Sequence, residues 1–144
     1  MTTGKRNDPY LGCRFVVEID DLIVGGFSEV SGLQVETETE DYREGGVNDY
    51  VHKLPKGTKY PNLILKRGIT DSDALWKWHQ DVITGKIERK SGRVILQDAE
   101  GNTKWLWAVE ELFPVKWTGP DFKADGSAVA IEALELVHRG IKKG

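Results

Sequence analysis

Apolar and polar positions alternate with a period of two along most of this chain and switch to a helical period once. Arg14 to Ile19 reads as the first strand, Asp20-Asp21 as a turn, and Leu22 to Phe27 as a return strand weakened or bulged at Gly25-Gly26. Ser28 to Gly32 reads as a bend. A long alternating strand then runs from Leu33 to Glu44, with Leu33, Val35, Thr37 and Thr39 on one face and Gln34, Glu36, Glu38 and Glu40 on the other. Gly45-Gly46 ends it. Residues 47–61 show no strand pattern; Pro55, Gly57 and Pro61 mark them as a long extended loop, a kind of segment that is usually functional or mobile.

Asn62 to Arg67 is the next strand. The helical period follows over residues 72–84, where Leu75, Trp78, His79 and Val82 share a face. Thr70 and Ser72 are the candidate N-caps and Gly85 the stop. A helix of this length is marginal alone and must dock on a sheet. Gly92 to Asp98 and Thr103 to Glu111 predict a hairpin about the turn Ala99 to Asn102, Phe113 to Trp117 a broken strand, and Ala128 to Val137 the last strand. Gly140 to Gly144 reads as a short basic tail. The fold class is mainly β, a β-sandwich or barrel of about seven strands with one flanking α-helix.

The 144 residues suit one domain over 1–144, with residues 1–9 as an N-terminal arm. A net charge of -3 argues against binding nucleic acid through phosphate neutralisation. No apolar run reaches membrane-spanning length, so membrane insertion by the monomer is not expected. The N-terminus lacks the apolar core of a secretory signal, which points to synthesis in the cytoplasm. Cys13, the single cysteine, reads as a small buried residue.

Searching for chemistry yields no catalytic, cofactor or metal site. His52, His79 and His138 lack metal-ligand spacing. DAEGNT (98–103) has the alternating oxygens of a calcium loop but lacks glycine at the sixth position and a closing glutamate, and DFKADG (121–126) has Lys123 at a ligand position. PKGTKYPN and GGFSEVSG lack phosphate- or dinucleotide-binding spacing, and no nucleophile elbow is present. The five tryptophans suit core and interface packing better than a ligand platform. A polarity pattern remains. Acids occupy 36, 38, 40, 41, 44 and 49, and bases without acids occupy 53, 56, 59, 66 and 67. Either these are solvated surfaces, or acidic and basic surfaces of copies meet head to tail, as in rings and filaments.

FSEVSGL (27–33), EDYREGG (40–46), KLPKGTKYPNLILKRG (53–68), LWKWHQDVITGK (75–86) and VAIEALELVHRG (129–140) resemble, in that order, the tail-tube proteins of contractile phages and phage-like contractile injection systems. The resemblance runs from Tyr10 to Ile141. It implies a β-sandwich-like barrel with a flanking helix, shared in outline with the tube protein of type VI secretion. It also implies six-membered rings stacked into a hollow tube, with sheath, baseplate or spike and tube-terminator proteins as partners and a cargo effector or DNA in the lumen. The particle would be a phage tail or a tail-like assembly released from the cell. Within it, Glu36, Glu38 and Glu40 are the candidate lumen-facing residues. Lys53, Lys56, Lys59 and Tyr60 in the 47–61 loop are candidates for contact with the next ring. Leu33 and Val35 are expected to pack in the core beneath the helix with Leu75 and Val82. The reading from a different class is a monomeric β-sandwich binding module with an aromatic ligand site.

Overall fold

The computed structural model describes residues 8, 14–22, 26–42, 52–126 and 129–144. Apart from Asp8, the arm lies outside the described residues, as do Cys13, Gly45-Gly46 and the first part of the expected loop, through residue 51.

β1 (Arg14–Ile19) pairs antiparallel with β6 (Lys90–Gln97), and β6 with β7 (Thr103–Thr118). The expected hairpin is present and longer at both ends. Its turn is held by Asp98, whose Oδ1 accepts the backbone N–H groups of Glu100 and Asn102 at 2.9 Å each. The Asn102 N–H, above all, holds the Asp98 carboxyl below its ordinary pKa.

β7 is one strand where the sequence suggests two. Thr103 to Leu112 pair with β6, and Phe113 to Thr118 pair with β8 (Ile131–Val137). Between these stretches Glu111 adopts φ 53, and Val115 is skipped in the register with β8. A left-handed residue and a bulge re-aim a strand, so β7 bends from one half of the sheet into the other. From β8 the sheet continues through β5 (Leu63–Gly68) to β2 (Glu29–Ser31), giving the order β1-β6-β7-β8-β5-β2. The basic tail is a strand, β9 (Gly140–Lys143), paired with Trp107 to Glu110. The bend at Ser28 to Gly32 likewise contains β2. Both strands are too short to display an alternation. Of the expected return strand, Leu22 makes a single bridge to Ile19.

One core draws on both halves of the sheet: Ile19, Val109 and Leu112 from the first, Leu63, Leu65, Leu134 and Leu136 from the second. Helix α1 (Ala74–Ile83) adds Leu75 and Trp78 to this core and packs on β7. Each such side chain stabilises the fold by roughly 1.5–3 kcal/mol when fully buried. The helix starts two residues later than expected. Its N-cap is Asp73, without a side-chain cap bond, while Thr70 Oγ1 accepts the Ser72 N–H instead. Gly85 ends it as anticipated, with φ 94 and its N–H on the Val82 carbonyl.

Beneath the helix entry lies a buried ion pair. Arg67 Nε donates to Glu132 Oε1, Arg67 Nη2 donates to the Ser72 carbonyl at 3.0 Å, and Trp117 Nε1 donates to Glu132 Oε2 at 3.0 Å. The pair ties β5, β8, β7 and the chain entering α1 together.

Candidate functional site

Apart from the seven-stranded sheet stands a two-stranded one. β3 (Glu36–Tyr42) pairs antiparallel with β4 (His52–Lys59). This corrects the expectation of a strandless loop over 47–61. Its second half is a strand whose polarity follows from exposure. Every residue of β3 is exposed, and so is every residue of β4 except half-buried His52. Without a buried face there is no apolar alternation to read. Pro55 and Gly57 fit because Lys56 bulges between them: Glu38 lies opposite Gly57, and Thr39 opposite Pro55.

The hairpin brings the two charge runs side by side. Glu36 is opposite Lys59, and Asp41 is opposite Lys53, their charged atoms 3.6 Å apart. Part of the expected complementarity between copies is therefore met within one chain. The pairing is incomplete. Glu38 faces Gly57 and Glu40 faces Leu54, and among the described residues Glu36, Glu38 and Glu40 make no side-chain ion pair. An isolated two-stranded hairpin is marginally stable in water, and this one has both faces open.

The expected core set is split. Leu75 is fully buried, Val82 is half-buried, and Leu33 packs against the core from the chain leading into β3. Val35 is 58% exposed, contrary to its expected place beneath the helix. Leu33 and Val35 instead line a cavity of about 230 Å³ with Trp107, Ile141 and Lys143. The apolar alternation thus continues past the point where the chain leaves the body. Lys53, Lys56 and Lys59 are exposed on β4, whereas Tyr60 is half-buried at the hairpin root, its ring 5.6 Å from that of His138.

The tryptophans form separate groups. Trp76 and Trp117 meet edge to face at 4.7 Å beside a cavity of about 430 Å³. Trp105 and Trp107 stack at 5.4 Å, with the Lys143 ammonium 4.2 Å from the Trp105 ring centre. Trp78 is buried, and its Nε1 donates to the Glu88 carbonyl at 3.1 Å. No group of metal-ligating side chains occurs among the described residues, and none of their helices is long and apolar enough to cross a membrane. Sequence reasoning missed β9 and the Tyr60–His138 contact. The signals available for them were the lysines at 142 and 143 and the paired aromatic rings, none of which has a period.

A search of curated proteins found no match. Among solved structures, the chain is similar to a chain of the anti-feeding prophage tube-terminating cap, at 26% identity and TM-score 0.87, covering 99% of this chain and 95% of that one. It is similar to a chain of the sheath–tube complex of an extracellular contractile injection system, PVC, in the extended state, at 26% identity and TM-score 0.83, covering 94% and 91%. It shares its fold with Hcp1 from Flavobacterium johnsoniae at 20% identity and TM-score 0.64, covering 90% and 94%. The model of the T4-like virus tail tube protein gp19 matches residues 11–142, and the chain belongs to that family.

Proposed function

We propose that the chain is the subunit of the inner tube of a contractile tail or injection particle. Six copies form a ring, rings stack into a hollow tube, and contraction of a surrounding sheath drives the tube through a target envelope. The chain contributes stiffness and a bore, with no chemical step. The observation that carries this reading is the β3–β4 hairpin: two charged strands, open on both faces, that need another surface to be stable. Membership of the tail tube family and the likeness to chains of a sheath–tube complex and a tube-terminating cap support the same reading. They also make sheath and terminator proteins, beside baseplate or spike, the natural partners.

In this reading Glu36, Glu38 and Glu40 face the bore, while Lys53, Lys56 and Lys59 reach the next ring. A carboxylate row repels DNA or acidic cargo, so passage is not held up by adhesion. Because Lys59 lies across from Glu36, the wall is mixed in sign rather than uniformly acidic. A monomeric module with an aromatic ligand site is not favoured, since the tryptophans are dispersed and partly tied into the core. Electron microscopy of the purified chain and of particles made with sheath and baseplate present tests the proposal. Rings or tubes are expected, and a strictly monomeric chain in both preparations would refute it. Glu36→Lys with Glu38→Lys should leave tubes intact and change cargo retention; loss of rings would place these residues at a subunit contact.

A further inference from the structure

The chain between β7 and β8 carries the most exposed large apolar side chain among the described residues. Phe122 is 89% exposed and takes no part in the core. Asp121 and Lys123 flank it, both exposed and neither in an ion pair with another described residue. At the foot of this connection lies a groove of about 400 Å³, but Glu29, Lys66, Asp121 and Lys123 are among its walls. A phenyl ring laid there would sit among charges that prefer water. Single exposed apolar residues are ordinary on a surface. Phe122 differs in being a large aromatic side chain, held clear of its own body between a carboxylate and an ammonium.

The cavity of about 430 Å³ beside Trp76 and Trp117 has the opposite character. Ile69, Trp76 and Trp117 wall it, and Ile69 and Trp76 are themselves exposed. The two indoles meet edge to face, the setting that a further aromatic ring also prefers. Covering this cavity would remove apolar surface that the chain leaves in water. Its rim carries Asp73, which makes no side-chain cap bond at the helix start. Asp73 Oδ1 stands 3.4 Å from Lys77 Nζ one turn on, an exposed pair that a partner's charges can share. The rim thus repeats the charge order of the knob, a carboxylate and an ammonium beside an apolar centre. We infer that Phe122 of one copy inserts into the Trp76–Trp117 cavity of a neighbouring copy, with Lys123 set against Asp73 and Asp121 against Lys77. Knob and cavity are different surfaces, so the contact is head to tail and repeats from copy to copy. An aromatic anchor seated in an apolar pocket, ringed by polar groups, is the arrangement that concentrates binding energy at an interface. The inference rests on the tube reading above and gives the copies a side-chain contact apart from the β3–β4 hairpin.

Two measurements test it. Phe122 packs on nothing in its own chain, so Phe122→Ser should leave the unfolding midpoint where it is. The same change should raise the concentration at which half of the chains are assembled by about tenfold or more, as read by sedimentation. An unchanged assembly concentration in Phe122→Ser would overturn the inference. Position is read by cross-linking. In the full chain with Cys13→Ser, Phe122→Cys is combined with Ile69→Cys or with Thr70→Cys, and assembled material is treated with a short bismaleimide. Ladders of linked chains are expected from at least one pair, and none from Phe122→Cys with Glu100→Cys on the β6–β7 turn. Assembled material that gives no ladder, or that links only within single chains, would overturn the contact while leaving the tube reading standing. A parent chain that assembles in no preparation would overturn both.

Discussion

The ring of Tyr60 lies against that of His138, tilted by 55° at a centroid distance of 5.6 Å, where the β3–β4 hairpin rejoins the body. His138 occupies the corner between β8 and β9, and its Nε2 donates to the Pro61 carbonyl at 3.1 Å. A Cβ on Gly140 would touch the Tyr60 ring at 3.8 Å, so the corner is closely filled. The β4 end of the hairpin is thus anchored at an aromatic root.

That root is sensitive to acid. Desolvation pushes the His138 pKa below its ordinary value of 6.5, with the Pro61 and Gly140 backbone opposing more weakly. The unfolded chain takes up the proton first as pH falls. The stability is therefore complete above the ordinary histidine value and is lost as pH falls through the window between it and the lower folded value. Thermal unfolding followed by circular dichroism should show a midpoint that falls as the pH drops below the ordinary histidine value. His138→Gln keeps a donor for Pro61 and should flatten this part of the profile. An unchanged slope in the variant would assign the effect to other groups.

The Arg67–Glu132 pair should be costly to break from one side. Both side chains are almost completely buried, and Arg67 Nη1 has no partner among the described residues. Glu132→Ala leaves a buried guanidinium uncompensated and removes the acceptor of Trp117 Nε1, a loss of roughly 3–5 kcal/mol. Arg67→Met combined with Glu132→Met removes both charges and should cost much less than the sum of the single changes. Denaturant titration of the four chains measures the coupling. Additive losses would mean that the pair is not a unit.

Gly32 allows the chain to leave β2 towards β3. Its φ of 89 suits glycine, and a Cβ there would run into the Asn62 carbonyl, a backbone atom that cannot turn aside. Gly32→Ala is therefore expected to lower stability by more than about 2 kcal/mol. Gly57→Ala is the control, since nothing stands near its Cβ position. Equal unfolding midpoints for the two variants would remove the close approach at Gly32 as the cause.

What could be read from the sequence was what burial had written into it. Leu63 and Leu65, Leu134 and Leu136, and Leu75 with Trp78 all sit at the period of their element because one face of each is in the core. β4 was invisible for the converse reason. With both faces exposed its residues follow no period, and Pro55 and Gly57 argue locally against a strand. Val35 misled in the other direction, because Leu33, Val35 and Thr37 alternate across a point where burial stops. The charge runs were legible as runs, but their pairing as Asp41 with Lys53 is a matter of register between distant residues.

Ring formation and folding should respond differently to salt. The hairpin charges are exposed: the Lys53 and Asp41 side chains are 70% and 67% accessible, and Glu36, Glu38 and Glu40 lie wholly on exposed positions. Interactions between such groups are screened once the Debye length falls from about 10 Å at 0.1 M salt to about 3 Å at 1 M. The Arg67–Glu132 pair is shielded from solvent ions by burial. Raising salt over that range should shift the ring–monomer balance towards monomer, as read by light scattering or sedimentation, while the unfolding midpoint changes little. Lys53→Gln, Lys56→Gln and Lys59→Gln together should weaken both assembly and its salt dependence, since they remove charges being screened. Rings that are indifferent to salt in the parent chain would mean that apolar contacts, such as those around Val35 and Trp107, hold the copies together instead.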